Sequence, residues 1–246
     1  MPATKPLHRL PEFLIIGAQK AGTTSLYEYL VDNPAIRPAS QKELHYFTSN
    51  WSNGAGWYRR QFPIRRRRTL SGEATPWMLF HPLAPGRVSE VMGDCRFIVL
   101  VRNPVDRAYS HYWHERRRGT EVLKTFEEAI DAEPDRLRDP DERIQQQFSY
   151  LARGRYAEQL ERWFDHFRRE SFLVLDSADL FARPVETTAR VETWFGVDPF
   201  EPTNIRPRNT GAARPPLSQA TRQGLEDYYK EHNERLFALL DRRFDW

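Results

Sequence analysis

Short apolar segments alternate with segments of helical periodicity along much of this chain. Three segments are almost continuously apolar and have the length of buried strands: Phe13 to Ile16, RFIVLVRNP at 96–104 and FLVLDSADL at 172–180. Helical periodicity begins near Thr24 after the first segment, extends from about Val105 towards Arg118 after the second, and precedes the third. The stripe before the third segment contains Tyr156, Leu160, Trp163, Phe164 and Phe167. This alternation predicts an α/β fold in which helices flank a central parallel β-sheet.

The segments between these units are less regular in composition. TSNWSNGAGW at 48–57 and DAEPDRLRDPDER at 131–143 are predicted to be surface excursions. RPRNTGAARPP at 206–216 contains too much Pro, Gly and Arg for a regular element, and a helix is predicted after it from about Ser218 to Arg243. Because no internal repeat or low-complexity linker divides the chain, we expect one domain over residues 1–246.

The charge balance favours a small anionic ligand over nucleic acid. The formal net charge is +3 and the sequence pI is about 9.0, a mild excess of basic residues that are spread widely. The densest basic run, Arg65 to Arg68, has no interleaved aromatic residues. We predict a solvated loop there, with a polyanion contact as the alternative. Cys95 is the only cysteine, which excludes an intramolecular disulfide, and it is expected to be a small core residue.

No segment of the sequence has the pattern of a signal peptide or a membrane span. Residues 1–11 contain three prolines and no apolar stretch. The longest apolar runs, Phe13 to Ile16 and Phe97 to Val101, are far shorter than the ~20 residues that cross a bilayer. These features predict a soluble cytoplasmic protein, and a reducing compartment agrees with the single cysteine.

The first apolar run ends in a glycine-bounded loop with most of the features of a phosphate-binding P-loop. Gly17 and Gly22 have the G-x-x-x-x-G spacing, and Thr24 occupies the position of the hydroxyl that binds magnesium. Thr23, however, stands where a P-loop has its lysine, and Lys20 lies inside the loop instead. Main-chain N–H groups at the start of a helix stabilise phosphate, and Lys20 adds a full positive charge.

A nucleoside triphosphatase also needs a carboxylate that helps to hold magnesium. The later apolar runs end in Arg102-Asn103 and Asp176-Ser177, so Asp176 is the only carboxylate to propose for that role. We therefore predict a loop that binds a nucleotide phosphate without metal. A plain glycine turn is the alternative.

The segment KELHYF at 42–47 places Lys42, Glu43 and His45 close together in sequence. In an extended conformation Glu43 and His45 project to the same side, where both would line one cleft. A carboxylate within hydrogen-bond distance of an acceptor hydroxyl takes its proton as a general base. Spacing alone leaves the alternative of a surface glutamate beside a half-buried histidine.

The segment VRNPVDRAYSHYWHERRRG at 101–119 places Arg102 at a strand end and Ser110 about two turns into the following helix. An arginine fork and a serine hydroxyl together suit a second phosphate. The alternative is that Arg102 caps the sheet edge and Ser110 is buried by chance. Tyr109, Tyr112 and Trp113 are expected to pack in the core rather than stack on a base.

Taken together, these motifs resemble those of sulfotransferases that use 3'-phosphoadenosine 5'-phosphosulfate (PAPS). The pattern is most similar to the heparan sulfate glucosaminyl sulfotransferase domains and their bacterial relatives. The matching segments cover nearly the whole chain: IIGAQKAGTTSLYEYL, KELHYF, GAGWYRRQFP, GEATPWML, IVLVRNPVDRAYSHYWH, RYAEQLERWFDHF, NTGAARP and LDRRFDW. The resemblance implies a P-loop-like parallel sheet, PAPS as co-substrate, 3'-phosphoadenosine 5'-phosphate (PAP) as product, and no metal ion.

The resemblance also implies roles in binding the donor. Arg102 and Ser110 would bind the 3'-phosphate. Because the family's chemistry needs no magnesium, the displaced Lys20 would act on the bridging oxygen as that oxygen acquires charge. The loop around the 5'-phosphosulfate would consist of Lys20, Ala21, Gly22, Thr23, Thr24 and Ser25.

A late loop, NTGAARP, matches a family segment that lies over the nucleotide. It implies contacts, mostly from backbone donors, by Thr210, Gly211, Ala212 and Arg214. The animal enzymes usually have lysine and arginine beside the glycine, where this chain has Thr210 and Ala212. Arg208 or Arg214 would then supply the charge.

On the acceptor side, Glu43 matches the family's catalytic base and His45 a neighbour that shapes or supports it. The acceptor would be a hydroxyl or amine of a small-molecule, glycan or carrier-tethered substrate, and the oligomeric state stays open. Two other functions remain as alternatives: a P-loop kinase for a small molecule, and a noncatalytic polyanion-binding protein. Aromatic residues in segments that would line the acceptor cleft, or equally belong to the core, are Trp51, Trp57, Tyr58 and Trp77.

Overall fold

Five parallel strands form the centre of the fold, in the order β2-β3-β1-β4-β5. The computed structural model describes residues 8–64, 68–206 and 214–246. The strands are β1 (Phe13–Gly17), β2 (Ile36–Pro38), β3 (Leu70–Ala74), β4 (Arg96–Val101) and β5 (Phe172–Asp176). From β1 the chain continues to β2 at one edge of the sheet, and from β4 it continues to β5 at the other edge, so the direction of the connections reverses between β1 and β4. Ligands bind at such a switch point, outside the carboxyl ends of the strands.

Helices cover the sheet and connect its strands. In the described residues they are α1 (Thr23–Asp32), α2 (Gly54–Arg60), α3 (Ala84–Val91), α4 (Pro104–Arg118), α5 (Phe126–Asp131), α6 (Glu133–Arg136), α7 (Glu142–Phe148), α8 (Tyr156–Phe164), α9 (Ser177–Ala182), α10 (Pro184–Phe195) and α11 (Gln219–Leu240). The predicted α/β fold with a central parallel sheet and flanking helices is confirmed.

Local sequence sets the bounds of α4, the helix that follows β4. The Asn103 side chain accepts hydrogen bonds from the main-chain N–H groups of Val105 (3.0 Å) and Asp106 (3.2 Å). Pro104 occupies the first turn, where a missing N–H group costs nothing. Gly119 ends the helix in the left-handed conformation with a φ of 75°.

Three segments differ from the prediction. The strand predicted over 172–180 ends at Asp176, because the Asp176 side chain accepts the Ala178 N–H group (2.8 Å) and begins α9. The predicted excursion at 48–57 contains a 3₁₀ turn at Trp51–Asn53 and the start of α2, and the one at 131–143 contains α6. Short helices of this kind have too few residues to show a periodic stripe.

The core divides into two clusters. The larger surrounds the sheet, and Phe13 through Ile16 are 0% exposed there. The smaller lies between α4, α5 and α11 and includes Tyr109 and Tyr112, with Trp113 packed against it, as predicted. Cys95 is buried, as expected, and burial raises the pKa of its thiol. Among the described helices, none combines the length and apolar character of a membrane span.

Candidate active site

A cavity of about 680 Å³ lies at the carboxyl ends of β1, β3 and β4. It brings together most of the predicted site residues: Lys20, Gly22, Thr23, Thr24, Glu43, His45, Arg102, Ser110 and Arg214. Ala21 and Ser25 belong to the same loop and helix start but are fully buried beneath its surface. Thr210, Gly211, Ala212 and Arg208 lie outside the described residues.

The glycine-bounded loop curls over the start of α1. Gly22 has a φ of 96° and Lys20 a φ of 72°, so both adopt the left-handed conformation. The Arg102 Nη1 donates a hydrogen bond to the Lys20 carbonyl oxygen (2.9 Å), which ties the loop to the end of β4. The main-chain N–H groups at the start of a helix point outwards and carry partial positive charge. The loop therefore offers a cradle of donors to an anion.

Positive charge accumulates around Lys20. Burial lowers the pKa of Lys20, and the charges of Arg117 and Arg102 lower it further against the opposing effect of Glu115, to about 8. Burial also lowers the pKa of Arg102. A bound anion in the cavity would stabilise both charged forms. The electrostatics of this wall therefore favour a phosphate or a sulfate.

Glu43 and His45 both line the cavity, but the predicted extended conformation is wrong. Their φ angles are 61° and 52°, so both residues adopt the left-handed conformation. The His45 Nε2 lies 3.5 Å from the Glu43 Oε2, and Lys42 forms an ion pair with the Glu43 Oε1. Burial raises the pKa of Glu43, but the hydrogen bond with His45 and the charge of Lys42 outweigh burial and lower it to about 2. The carboxylate is therefore ionised at neutral pH.

A buried carboxylate, Glu73, supports this loop from below. Glu73 is 0% exposed, and its Oε2 accepts the Leu44 main-chain N–H group (3.3 Å). The hydroxyls of Tyr58 and Thr75 donate to its two carboxylate oxygens at 2.7 Å each. Burial raises the pKa of Glu73 against the lowering effect of these hydrogen bonds. Sequence analysis missed this role, although a glutamate inside the strand segment GEATPW is an unusual core residue.

One face of α4 borders the cavity. Ser110, His114 and Arg118 recur every four residues and all line it, together with Glu115. The His114 Nε2 lies 3.8 Å from the Glu115 Oε1. Burial, with the charges of Lys20 and Arg118, lowers the pKa of His114 to about 4. His114, Glu115 and Arg118 were not among the predicted site residues, although helical spacing from Ser110 indicates that they share its face.

Of the four aromatic residues proposed for an acceptor cleft, Trp77 lines the cavity. Trp51 and Trp57 lie against Tyr46, at ring-centre distances of 5.2 and 6.2 Å, and Tyr58 is buried with Glu73. Beside Trp77 the wall continues with polar residues that sequence analysis did not single out: Gln19, Gln146, Gln147 and Arg153.

Arg214 is the predicted site residue of the late loop that lies within the described part of the chain. It lines the cavity, with its guanidinium carbon 5.1 Å from the Tyr109 ring centre. Tyr109 in turn donates a hydrogen bond to the Pro215 carbonyl oxygen (2.8 Å). These contacts hold the end of the loop against α4.

Comparisons with known proteins agree with this architecture. The crystal structure of a sulfotransferase from Alicyclobacillus acidocaldarius superposes with a TM-score of 0.84 at 30% identity, over 96% of this chain and 98% of that one. Mouse sulfotransferase SULT7A1, solved in complex with PAP, has the same fold with a TM-score of 0.61 at 14% identity, over 92% of this chain and 84% of that one.

Among curated proteins, the bifunctional heparan sulfate N-deacetylase/N-sulfotransferase 1 of Xenopus tropicalis is 32% identical over 271 residues, which include 96% of this chain. This chain spans 30% of that protein's length. The family profile described as the sulfotransferase domain matches residues 10–206, and the assignment of all 246 residues to that domain stays a prediction. These matches lead to one conclusion: the chain belongs to the sulfotransferase domain family.

Proposed function

We propose that this protein transfers a sulfuryl group from PAPS to a hydroxyl or amine of an acceptor, without a metal ion. One observation carries the proposal: the carboxylate of Glu43 lines the same cavity as Lys20 and the N-terminus of α1. That cavity thus pairs an ionised base with a cradle for an anionic leaving group. Family membership and the PAP in the SULT7A1 crystal structure support PAPS as the donor.

The residues of the cavity suit a nucleotide that carries several phosphates. Lys20, Arg102 and Arg214 all line it, and none forms an ion pair with a carboxylate in the described part of the chain. Lys20 and Arg102 are half-buried and Arg214 is exposed, and cations without a carboxylate partner favour an anionic ligand that neutralises them. We assign Lys20 and the loop through Ser25 to the 5'-phosphosulfate, and Arg102 with Ser110 to the 3'-phosphate.

In the proposed reaction, the acceptor oxygen or nitrogen forms a bond to sulfur as the bond from sulfur to the bridging oxygen breaks. The acceptor's proton passes to the Glu43 carboxylate. The electron pair of the broken bond stays on the nucleotide phosphate, where Lys20 and the loop N–H groups stabilise it. A bound acceptor excludes water from Glu43, which opposes the effects of Lys42 and His45 and makes the carboxylate a stronger base.

The kinase alternative has less support. Thr23 occupies the position of the P-loop lysine, and Asp176 caps α9 with its side chain instead of facing a metal site. The acceptor is proposed only by class, as a small molecule, a glycan or a carrier-tethered intermediate. The cytoplasmic location also stays a prediction.

Calorimetry and a transfer assay test the proposal. PAP is expected to bind in the presence of EDTA, and ATP with magnesium is not. Incubation with labelled PAPS and a cell extract, read by mass spectrometry, is expected to yield sulfated products. Binding of ATP with magnesium but not of PAP would refute PAPS as the donor.

Variants test the roles of the two principal residues. Glu43→Gln is expected to abolish transfer while leaving PAP affinity intact, and Lys20→Ala to reduce turnover by about 10²- to 10³-fold. Glu90→Gln is the matched control, because Glu90 is exposed on α3 and does not line the cavity. Near-normal turnover of Glu43→Gln would show that Glu43 is not the base.

A further inference from the structure

Arg153 is a buried cation in the wall of the cavity. It lies in the 3₁₀ turn Ala152–Gly154 between α7 and α8, and it is 3% exposed. Its guanidinium carbon lies 4.3 Å from the ring centre of Trp77, which lines the cavity beside it. The proposed transfer reaction assigns no role to this charge.

Neutral groups accept the hydrogen bonds that Arg153 donates. Its Nε binds the Ser149 Oγ (2.7 Å), its Nη2 the Gln146 carbonyl oxygen (2.5 Å) and its Nη1 the Gln19 Oε1. A guanidinium has five N–H donors, so these three bonds leave two donors for a ligand. These hydrogen bonds therefore hold the side chain in place but do not use all of its N–H donors.

No carboxylate pairs with Arg153 in residues 8–64, 68–206 and 214–246. The two whose charges act on it most strongly are Glu115 and Glu133. Glu133 instead accepts the main-chain N–H groups of Leu151 (2.6 Å) and Ala152 (2.8 Å), and Glu115 accepts the Thr120 hydroxyl (2.5 Å). Burial and the charge of Arg107 lower the pKa of Arg153. A buried charge without a partner is costly, and a bound anion removes that cost.

Arg153 borders the proposed acceptor side of the cavity through its contact with Trp77. Trp77 follows β3, and the end of β3 also holds Glu43, whose N–H group donates to the Ala74 carbonyl oxygen (3.2 Å). The residues assigned to the 3'-phosphate follow β4, and β1 separates β3 from β4. Gln19, which holds Arg153, precedes Lys20 of the donor loop, and the turn of Arg153 also packs against α4, so Arg153 lies where the two sides of the cavity meet. When the nucleotide fills the donor side, an anion at Arg153 would belong to the molecule that reaches Glu43.

We propose that Arg153, seated on Trp77 and held by Gln19, binds an anionic group of the acceptor, a carboxylate or a sulfate, and so orients the acceptor at Glu43. This inference rests on the proposed function, because it presumes that PAPS and an acceptor share the cavity. Arg153 is a specificity-determining residue in this scheme, and the acceptor is an anion rather than a neutral alcohol or amine.

The test uses the full chain saturated with PAP, which occupies the donor site. Calorimetry then compares acetate with acetamide and glucuronate with glucose, pairs that differ in the presence of a carboxylate. Each carboxylate is expected to bind about tenfold or more tightly than its neutral counterpart. Equal affinity within both pairs would overturn the inference, and this measurement needs no variant to fold.

Variants then locate the binding group. Arg153→Gln is expected to abolish the preference for the carboxylate, and Arg153→Lys to retain part of it, with PAP affinity unchanged in both. Arg162→Gln is the matched control: Arg162 also packs under this wall, where its Nη2 donates to the Phe80 carbonyl oxygen (3.1 Å), but it does not line the cavity. Weaker PAP binding in both Arg153 variants would assign Arg153 to the donor and refute the inference. Failure of the wild-type protein to bind PAP would instead refute the proposed function.

Discussion

At the scale of single residues, Lys20 has a strongly perturbed environment. Its backbone is left-handed, its side chain is partly buried, and three arginines nearby, Arg117, Arg102 and Arg107, also carry positive charge. Burial and these charges lower its pKa from 10.5 to about 8. A bound phosphate offsets the positive charges of the arginines, so binding of the donor and protonation of Lys20 stabilise each other.

PAP affinity is therefore expected to depend on pH. In the free protein the Lys20 ammonium is present below about pH 8 and is lost above it, so PAP affinity falls as the pH rises through about 8. Calorimetry from about pH 7 to about pH 9.5 measures this decline, in a range where phosphate monoesters are already doubly charged. Lys20→Arg keeps its charge throughout and is expected to give a flat profile. A decline of equal size in Lys20→Arg would assign the titration to another group.

At the scale of elements, the loop that carries Glu43 depends on the strand beneath it. The Glu43 and Leu44 N–H groups bind the Ala74 carbonyl oxygen and the Glu73 side chain at the end of β3. The hydroxyl of Tyr58, on α2, donates a hydrogen bond to the other oxygen of the Glu73 carboxylate. Hydrogen bonds from β3 and α2 thus form a positioning network for the loop, and this network holds Glu43 and His45 in a backbone conformation that residues other than glycine rarely adopt.

Removal of one hydroxyl from this network is expected to affect both stability and turnover. Tyr58→Phe leaves a Glu73 oxygen without its donor, and we expect a loss of about 1–3 kcal/mol in the free energy of unfolding. Turnover is expected to fall while PAP affinity is unchanged, because the loop holds Glu43 and not the donor. Urea denaturation, a transfer assay and calorimetry measure the three quantities.

Tyr112→Phe is the control for that experiment. Its buried hydroxyl donates to the carbonyl oxygens of Leu123 (3.1 Å) and Lys124 (2.7 Å), away from the Glu43 loop. We expect it to lose stability without losing turnover. Unchanged turnover in Tyr58→Phe would mean that the network has no positioning role.

At the scale of the whole molecule, α11 joins the two core clusters. Leu225 and Tyr229 in its first half belong to the smaller cluster, and Leu236 and Phe237 in its second half belong to the larger one. The cavity lies between the elements that these clusters hold in place, since α4 belongs to the smaller and β1 to the larger. The last helix therefore stabilises the site without contributing a residue to it.

Leu236→Ala is expected to lower the free energy of unfolding by about 2–5 kcal/mol, because it leaves a cavity at a position that is 1% exposed. PAP affinity of the folded protein is expected to remain unchanged. Lys230→Ala, at an exposed position on the same helix, is expected to change stability by less than about 0.5 kcal/mol. Urea denaturation measures both. Loss of PAP affinity in folded Leu236→Ala would mean that α11 shapes the donor site directly.

Short-range patterns determined the architecture and the residues of the proposed donor side. Strands of a parallel sheet are buried on both faces, so Phe13 to Ile16 and the run at 96–101 are continuous apolar segments that the sequence displays directly. The glycine spacing and the asparagine-proline pair likewise predict a loop and a helix start within a few residues. Lys20, Arg102 and Ser110 follow from those local signals, and the structure brings all three to one cavity.

On the proposed acceptor side, the segment KELHYF indicated Glu43 and His45 as candidates, but only the tertiary structure decided their conformation and their neighbours. The left-handed conformation of Glu43 depends on contacts with residues about thirty positions later in the chain, and no local propensity predicts it. Arg153 reaches Gln19 across 134 positions. Contacts of this kind exist because the order of parallel strands brings distant loops to one edge of the sheet. Local sequence determines that a strand forms, and the packing of the whole chain determines which loops meet at its end.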